Sequence, residues 1–236
     1  MKAMVLAAGL GTRLRPLTDS RPKALVEVGG RTLLEITLER LRRFGVQEVI
    51  INTHHLAVQI EEFLRKHNNF GMHIELSFEE TLLDTGGGLK RAAWFFDSEP
   101  FVLHNVDVIS TINLKDMRTF HDGHHALATL AIKNRNTSRP LVFDRERQFC
   151  GRPAEIVRKG EAMFQSAFCG VHIISPRMIP MMRESGVFSI IASYIDLASR
   201  GESILGYPVE SAYWRDLGRL EDMKAAAAEI GVWTSI

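Results

Sequence analysis

Residues 6–18 read LAAGLGTRLRPLT and residues 21–25 read RPKAL. A short apolar stretch runs into a Gly-x-Gly turn, and Arg13 and then Lys23 follow it. Glycines at positions 9 and 11 let backbone N–H groups reach an anion with no Cβ in the way. Arg13 and Lys23 add two full positive charges beside that turn. A bound triphosphate requires this combination, donors for its oxygens and cations for its charge. Two familiar phosphate loops do not fit. The dinucleotide fingerprint wants a third glycine, or a small substitute, where Leu14 stands. A Walker loop starting at Gly9 wants glycine, lysine and a hydroxyl residue where the chain reads Leu14, Arg15 and Pro16.

Two carboxylates complete a phosphate chemistry. Asp107 ends the run HNVD after the apolar residues 101–103, and Asp216 lies in YWRDLG at 213–218. A carboxylate at the C-terminal end of a parallel strand sits where α/β sheets bind ligands. Magnesium is held by one or two carboxylates together with substrate phosphate oxygens. Asp107 is therefore a candidate metal ligand, and a second carboxylate such as Asp216 is wanted because one alone holds Mg²⁺ weakly. Asp216 has a second reading, as the cap of a helix beginning near Leu220. A further constellation, Asp84, Thr85, Gly86, Gly87, Gly88, opens a helix. Its glycines bare the first-turn N–H groups and permit a flat ring to pack closely.

Together these runs resemble the signature of the sugar-1-phosphate nucleotidyltransferases, L-A-G/A-G-x-G-T-R-L-x-P-L-T followed by P-K. Within that superfamily, the short chain and the Gly-Gly-Gly run resemble bacterial N-acetylmuramate 1-phosphate uridylyltransferases and mannose- or heptose-1-phosphate nucleotidyltransferase-like enzymes of cell-envelope synthesis. The resemblance implies a GT-A-like fold and a divalent cation, Mg²⁺ or Mn²⁺, on Asp107 and Asp216. It implies nucleotide contacts from Leu6, Ala7, Ala8, Gly9, Gly11, Thr12, Arg13, Thr85, Gly86 and Gly87. Arg13 and Lys23 take the catalytic roles, and Asn105, Gly151 and Gly170 lie toward the sugar. The substrates implied are a nucleoside triphosphate, uridine or guanosine, and a sugar 1-phosphate. Three positions depart from the pattern. Val106 replaces glycine or alanine, Arg219 replaces threonine, and Leu82-Leu83 stand near the place of a glutamine that some relatives use to read a pyrimidine.

The elements that must position these residues alternate along the chain. Residues 3–6, 49–51, 73–78 and 101–103 read as strands. Leu34, Leu38 and Leu41, then Ile60, Phe63 and Leu64, mark helical faces, and residues 89–95 read as a helix. Such alternation predicts an α/β fold: three layers, a mostly parallel mixed sheet with a Rossmann-like or GT-A-like core, and a small sugar-binding lobe. After about residue 110 strands at 126–132, 141–143 and 168–174 dominate, with helices at 190–198 and 220–230. The chain reads as a single domain, 1–236, with a nucleotide-binding lobe at about 1–110. A sugar-binding lobe and the C-terminal helix occupy about 111–236.

The whole-chain balance narrows the classes. Of 236 residues 45% are hydrophobic, and 29 basic against 28 acidic residues leave a net charge of +1. No electrostatic footprint for nucleic acid results. The apolar N-terminus is too short for a membrane span and lacks the features of a secretion signal. Cys150 and Cys169 are too few for a disulfide framework, so reduced thiols, a cytoplasmic location, and a monomer or homodimer are expected. Competing classes are a choline-phosphate cytidylyltransferase-like enzyme, a GT-A glycosyltransferase and a non-catalytic nucleotide-binding protein. The glycosyltransferase wants a D-x-D motif that the residues from Asp107 to Ser110 do not supply.

Overall fold

The computed structural model describes residues 1–233. They form two compact units. The first comprises Met1–Leu82, His104–Ile112 and the residues from Ala212 onward, and the second Leu83–Leu103 and Asn113–Ser211. The fold is α/β, as the alternation of periods predicts.

In the first unit the strand Lys2–Leu6 pairs in parallel with Glu48–Thr53, which pairs in parallel with His73–Phe78. Ala3, Met4, Val5, Val49, Ile50 and Ile51 are fully buried, the continuous apolar pattern of parallel strands covered on both faces. The helix Leu33–Arg43 starts where Thr32 Oγ1 accepts from Glu35 N at 3.1 Å. Leu34, Leu38 and Leu41 are buried on one face as their spacing requires. Each such leucine contributes about 2 kcal/mol relative to an exposed one. In the helix Ala57–Lys66, Ile60 and Leu64 point inward, while Phe63 is half-buried with its ring tilted against those of His67 and Phe70.

A two-stranded antiparallel ribbon, Val108–Ser110 against Trp214–Asp216, closes this unit. Here the structure differs from the expected cut near residue 110. Strand pairing returns the residues from Ala212 onward to the first unit, and residues 83–103 group with the second. Ladder hydrogen bonds over a large sequence separation leave no local periodicity to read.

In the second unit the long strand Phe164–Ile174 pairs antiparallel with Ala128–Lys133 and with Leu141–Phe143. Ile204–Pro208 adds in parallel to Ala128–Lys133, and Phe149–Arg152 and Glu155–Ile156 extend the other side as a hairpin. The expected helix at 89–95 is instead a helix over Asp84–Arg91 followed by a 3₁₀ turn, Ala93–Phe95. A helix Leu114–Gly123, absent from the sequence reading, starts at Asn113, whose Oδ1 accepts from Lys115 N and Asp116 N. Cys150 and Cys169 are free and buried, and burial pushes the Cys169 thiol up to about 12. Cys169 is a core residue. Among the described residues no helix is long and apolar enough to cross a membrane.

His121 is a buried histidine with a legible protonation state. Ser175 spends its hydroxyl proton on Ala126 O at 2.8 Å, so its oxygen accepts from His121 Nε2 at 3.0 Å. His121 Nδ1 must then accept from Thr129 Oγ1 at 2.9 Å. Burial is the main reason its pKa falls to about 4. The folded value lies below the unfolded one, about 6.5, so the unfolded chain binds more protons between them. Stability is therefore expected to fall as pH drops through that window, by on the order of 2 kcal/mol at pH 5 from this residue. His121→Gln keeps one donor and one acceptor but cannot titrate. Urea unfolding at pH 7 and pH 5 should show the difference shrinking in that variant; an unchanged difference would contradict the assignment.

Candidate active site

The glycine-bearing loop leaves the first strand at Leu6. Ala7 N donates to Asn52 Oδ1 at 2.7 Å, and Val106 N donates to Leu6 O at 3.1 Å. The exits of these segments are thereby tied together. Gly11 has φ +65°, and a Cβ there would lie 2.8 Å from Thr18 Cγ2 and 3.1 Å from Lys23 Cβ. Thr18 Oγ1 donates to Gly11 O at 2.9 Å. Position 11 is therefore glycine to bring Thr18 and Lys23 under the loop as well as for its left-handed backbone. Gly9 faces open space, where a side chain would meet no protein atom within 4 Å. Thr12–Leu14 forms one 3₁₀ turn that buries Leu14 as an anchor and leaves Thr12 and Arg13 exposed.

The ribbon brings the two aspartates together. Asp216 pairs with Val108, so Asp107 stands one step beyond on the facing side, and Leu217 N donates to Asp107 O at 2.8 Å. Lys23 Nζ donates to Asp107 Oδ2. Asp216 Oδ1 accepts from Gly218 N at 2.7 Å. Burial and the charge of Asp107 raise the Asp216 carboxyl, opposed by the Gly218 N–H, Lys23 and Arg13. The capping role for Asp216 does not hold. The helix Leu220–Ala228 has Arg219 at its N-cap and no side-chain cap, because Asp216 closes its own turn onto Gly218.

These residues fit a divalent cation. Two carboxylates crowd at one end of the ribbon, and each burdens the other with like charge. Among the described residues no group of three or more His, Cys, Asp or Glu could hold a metal. A cation here would take its remaining ligands from phosphate oxygens and water, as magnesium does in phosphoryl-transfer sites.

Gly218 is the residue that sequence reasoning undervalued. A Cβ on it would lie 2.6 Å from Arg13 Nη2 and 2.7 Å from Asp216 Oδ1. Its missing side chain is what lets the Arg13 guanidinium lie beside Asp216. Glu79 was also missed. It is fully buried, and its Oε1 accepts from Asn52 Nδ2 at 2.8 Å while its carbonyl receives His54 Nδ1 at 2.8 Å. An acidic residue directly after the strand His73–Phe78 was the available signal. Asn52 is thus a strut between Glu79 and Ala7. Asn52→Ala leaves Ala7 N–H unbonded and removes a donor from a buried carboxylate. A loss of about 3 kcal/mol in urea unfolding is expected. A change under about 0.5 kcal/mol, the range of an ordinary surface substitution, would remove Asn52 from that role.

Asn105 is half-buried, and its carbonyl receives the proton of His104 Nδ1 at 2.8 Å. His104 is fully buried and neutral, with burial as the first cause of a pKa near 4.

The remaining sequence-selected residues lie in the second unit. The first-turn N–H groups of the helix Asp84–Arg91 are not bare as expected. Thr85 N donates to Asp84 Oδ1 at 2.6 Å, and Gly86 N and Gly87 N both donate to Phe188 O, at 3.0 and 3.3 Å. Thr85 Oγ1 accepts from Ile190 N at 2.9 Å. The flat ring packed on the glycines belongs to Phe188, since a Cβ on Gly86 would lie 2.3 Å from it. On Gly87 a Cβ would meet Gly186 O at 2.4 Å. Gly151 sits in the hairpin with φ +125°, and Gly170 at a register shift of the long strand with φ +73°.

The nucleotidyl transferase family model matches residues 2–143. The chain belongs to the nucleotidyl transferase family. It is 32% identical over 240 residues to the N-acetylmuramate alpha-1-phosphate uridylyltransferase of Neisseria meningitidis, covering 99% of this chain and all of that one. It is 31% identical over 233 residues to the mannose-1-phosphate guanyltransferase of Candida albicans, covering 94% of this chain. This chain spans 62% of that guanyltransferase's length. In fold, the family member resembles HddC from Yersinia pseudotuberculosis complexed with GMP-PN. The TM-score is 0.79 at 22% identity, over 97% of this chain and 99% of that one. A UDP-glucose pyrophosphorylase complexed with UDP-glucose gives 0.80 at 17% identity, over 98% of each.

Proposed function

We propose that this chain joins a sugar 1-phosphate to a nucleoside triphosphate, making a nucleotide-sugar and pyrophosphate. The observation that carries the reading is the meeting of Asp107 and Asp216 at one end of the ribbon. Lys23 is bonded to the first, and Arg13 lies beside the second. A donor-rich loop leads into that cluster, which is the equipment for bringing two phosphates together.

Asp107 and Asp216 would hold Mg²⁺ or Mn²⁺, whose charge would offset the repulsion between the α-phosphate and the incoming phosphate. Lys23 bears the neighbouring positive charge and holds the attacking phosphate oxygen toward the α-phosphorus. Arg13 stabilises the negative charge that gathers on the departing pyrophosphate. The α-phosphorus–oxygen bond to pyrophosphate breaks as the bond to the sugar phosphate oxygen forms. No protein nucleophile takes part. By resemblance Leu6, Ala7, Ala8, Gly9, Gly11, Thr12 and Arg13 belong to the nucleotide contacts, with Thr85, Gly86 and Gly87. Asn105, Gly151 and Gly170 are the weaker assignments toward the sugar.

The first substrates to test are uridine triphosphate and N-acetylmuramate α-1-phosphate, because the uridylyltransferase relative matches along its entire length. Guanosine triphosphate with mannose 1-phosphate is the second pair. Phosphate release in the presence of pyrophosphatase, across four nucleoside triphosphates and several sugar 1-phosphates, with and without Mg²⁺, tests the reading. A metal-dependent signal confined to one pairing supports it. No release from any pairing by folded, nucleotide-bound protein defeats it in favour of a binding role.

A further inference from the structure

The strands His73–Phe78, Glu48–Thr53 and Lys2–Leu6 lie side by side in the first unit. A line of hydrogen bonds crosses their C-terminal ends and reaches the residue before Asp107. Glu79 begins the line and is fixed by its own backbone. Its N donates to Thr53 O at 2.8 Å, and its carbonyl accepts from His54 Nδ1 at 2.8 Å. Its side chain is fully buried, and Oε1 accepts from Asn52 Nδ2 at 2.8 Å. Asn52 Oδ1 in turn accepts from Ala7 N at 2.7 Å. On the far side of that same peptide unit, Leu6 O accepts from Val106 N at 3.1 Å. Asp107 comes next in the chain.

The line has a fixed polarity. A backbone N–H only donates, so Asn52 must turn its oxygen toward Ala7 and its NH₂ toward residue 79. Residue 79 must therefore supply an acceptor, which the glutamate oxygen does. An apolar side chain could follow the strand without the cost of burying a carboxyl group. It could not hold the Asn52 amide in this sense. The Leu6–Ala7 peptide is the last one before the loop that carries Gly9 and Gly11. Held from both sides, it sets the direction in which that loop leaves and its distance from Asp107.

We propose that Glu79 and Asn52 are positioning residues for a nucleoside triphosphate, keeping the loop from Ala7 to Thr12 in place against Asp107. This role rests on the proposed use of that loop for a nucleotide. Both side chains act through the Leu6–Ala7 peptide, so they govern the grip on the nucleotide and leave the grip on the sugar 1-phosphate as it is.

Exchanging donor and acceptor along the line tests the role. Asn52→Asp keeps an oxygen for Ala7 N but sets two acceptors face to face at residue 79. Calorimetric titration with each of the four nucleoside triphosphates and Mg²⁺ should show about tenfold weaker binding of whichever nucleotide the unsubstituted chain takes. In turnover, KM for that nucleotide should rise by a similar factor while KM for the sugar 1-phosphate stays constant. A merely destabilised chain loses active fraction and keeps both KM values. Adding Glu79→Gln to Asn52→Asp puts a donor opposite the new acceptor. The double variant should recover nucleotide affinity to within about twofold, even where Asn52→Asp alone does not fold. Unchanged affinity in Asn52→Asp, no recovery in the double variant, or an equal rise in both KM values overturns the proposal. Nucleotide binding without pyrophosphate release from any sugar 1-phosphate defeats the proposed function and leaves the positioning role standing on the titrations. A chain that binds none of the four nucleotides defeats both.

Discussion

Asp107→Asn is expected to lower metal-dependent turnover by about a hundredfold or more. The amide keeps the shape of the side chain and one acceptor oxygen but carries no charge. A transition state with charge spread over several phosphate oxygens loses about 3 kcal/mol when one aligned charge is removed. The substitution also releases Lys23 from its carboxylate and relieves Asp216 of a like-charged neighbour, two changes of opposite sign for folding. Stability should therefore move little while activity collapses, a separation that urea unfolding beside pyrophosphate release detects. Raising Mg²⁺ should recover part of the lost rate, because the weakened step is cation binding. Near-normal turnover at ordinary Mg²⁺ would remove Asp107 from the metal site.

Gly218→Ala should produce nearly the defect of Arg13→Ala, although residue 218 offers no side chain to a substrate. The added methyl would sit 2.6 Å from Arg13 Nη2, well inside contact distance. The clash falls on the tip of a long, exposed arginine that swings away at little folding cost. The guanidinium then no longer lies beside Asp216. A fall of about tenfold to a hundredfold in kcat/KM is expected, with little change in Tm. The double variant Gly218→Ala with Arg13→Ala should be little worse than Arg13→Ala alone, the non-additivity of residues that act through one another. A full multiplicative loss would place the damage on Asp216 Oδ1, 2.7 Å from the same methyl, and not on Arg13.

Much of the site was legible because it is local. The run from Leu6 to Arg13 announces a strand, a turn and a cation within one stretch, and the structure keeps them together as a strand end and one 3₁₀ turn. Parallel strands were legible for a similar reason, since Ala3–Val5 and Val49–Ile51 are buried on both faces and so read as continuous apolar runs. The triglycine run does not leave its N–H groups bare, because a glycine serves a neighbouring segment by the same means as a ligand. At Gly86 and Gly87 the close approach belongs to Phe188 and Gly186 of the same unit.

By itself the sequence determined the α/β class, and it marked out the glycine loop with Arg13 and Lys23 and the aspartates 107 and 216 as candidates for phosphate and cation chemistry. Each depends on residue type, short spacing or local period, which chain order preserves. Tertiary structure decided which of those groups meet. The pairing of Val108–Ser110 with Trp214–Asp216 joins residues far apart in the chain, and no local preference specifies such a register. It also decided that Gly218 makes room for Arg13 and that Asn52 braces Glu79 against the loop. Each is a distance between side chains, set by packing of the folded unit and written nowhere in the order of its residues.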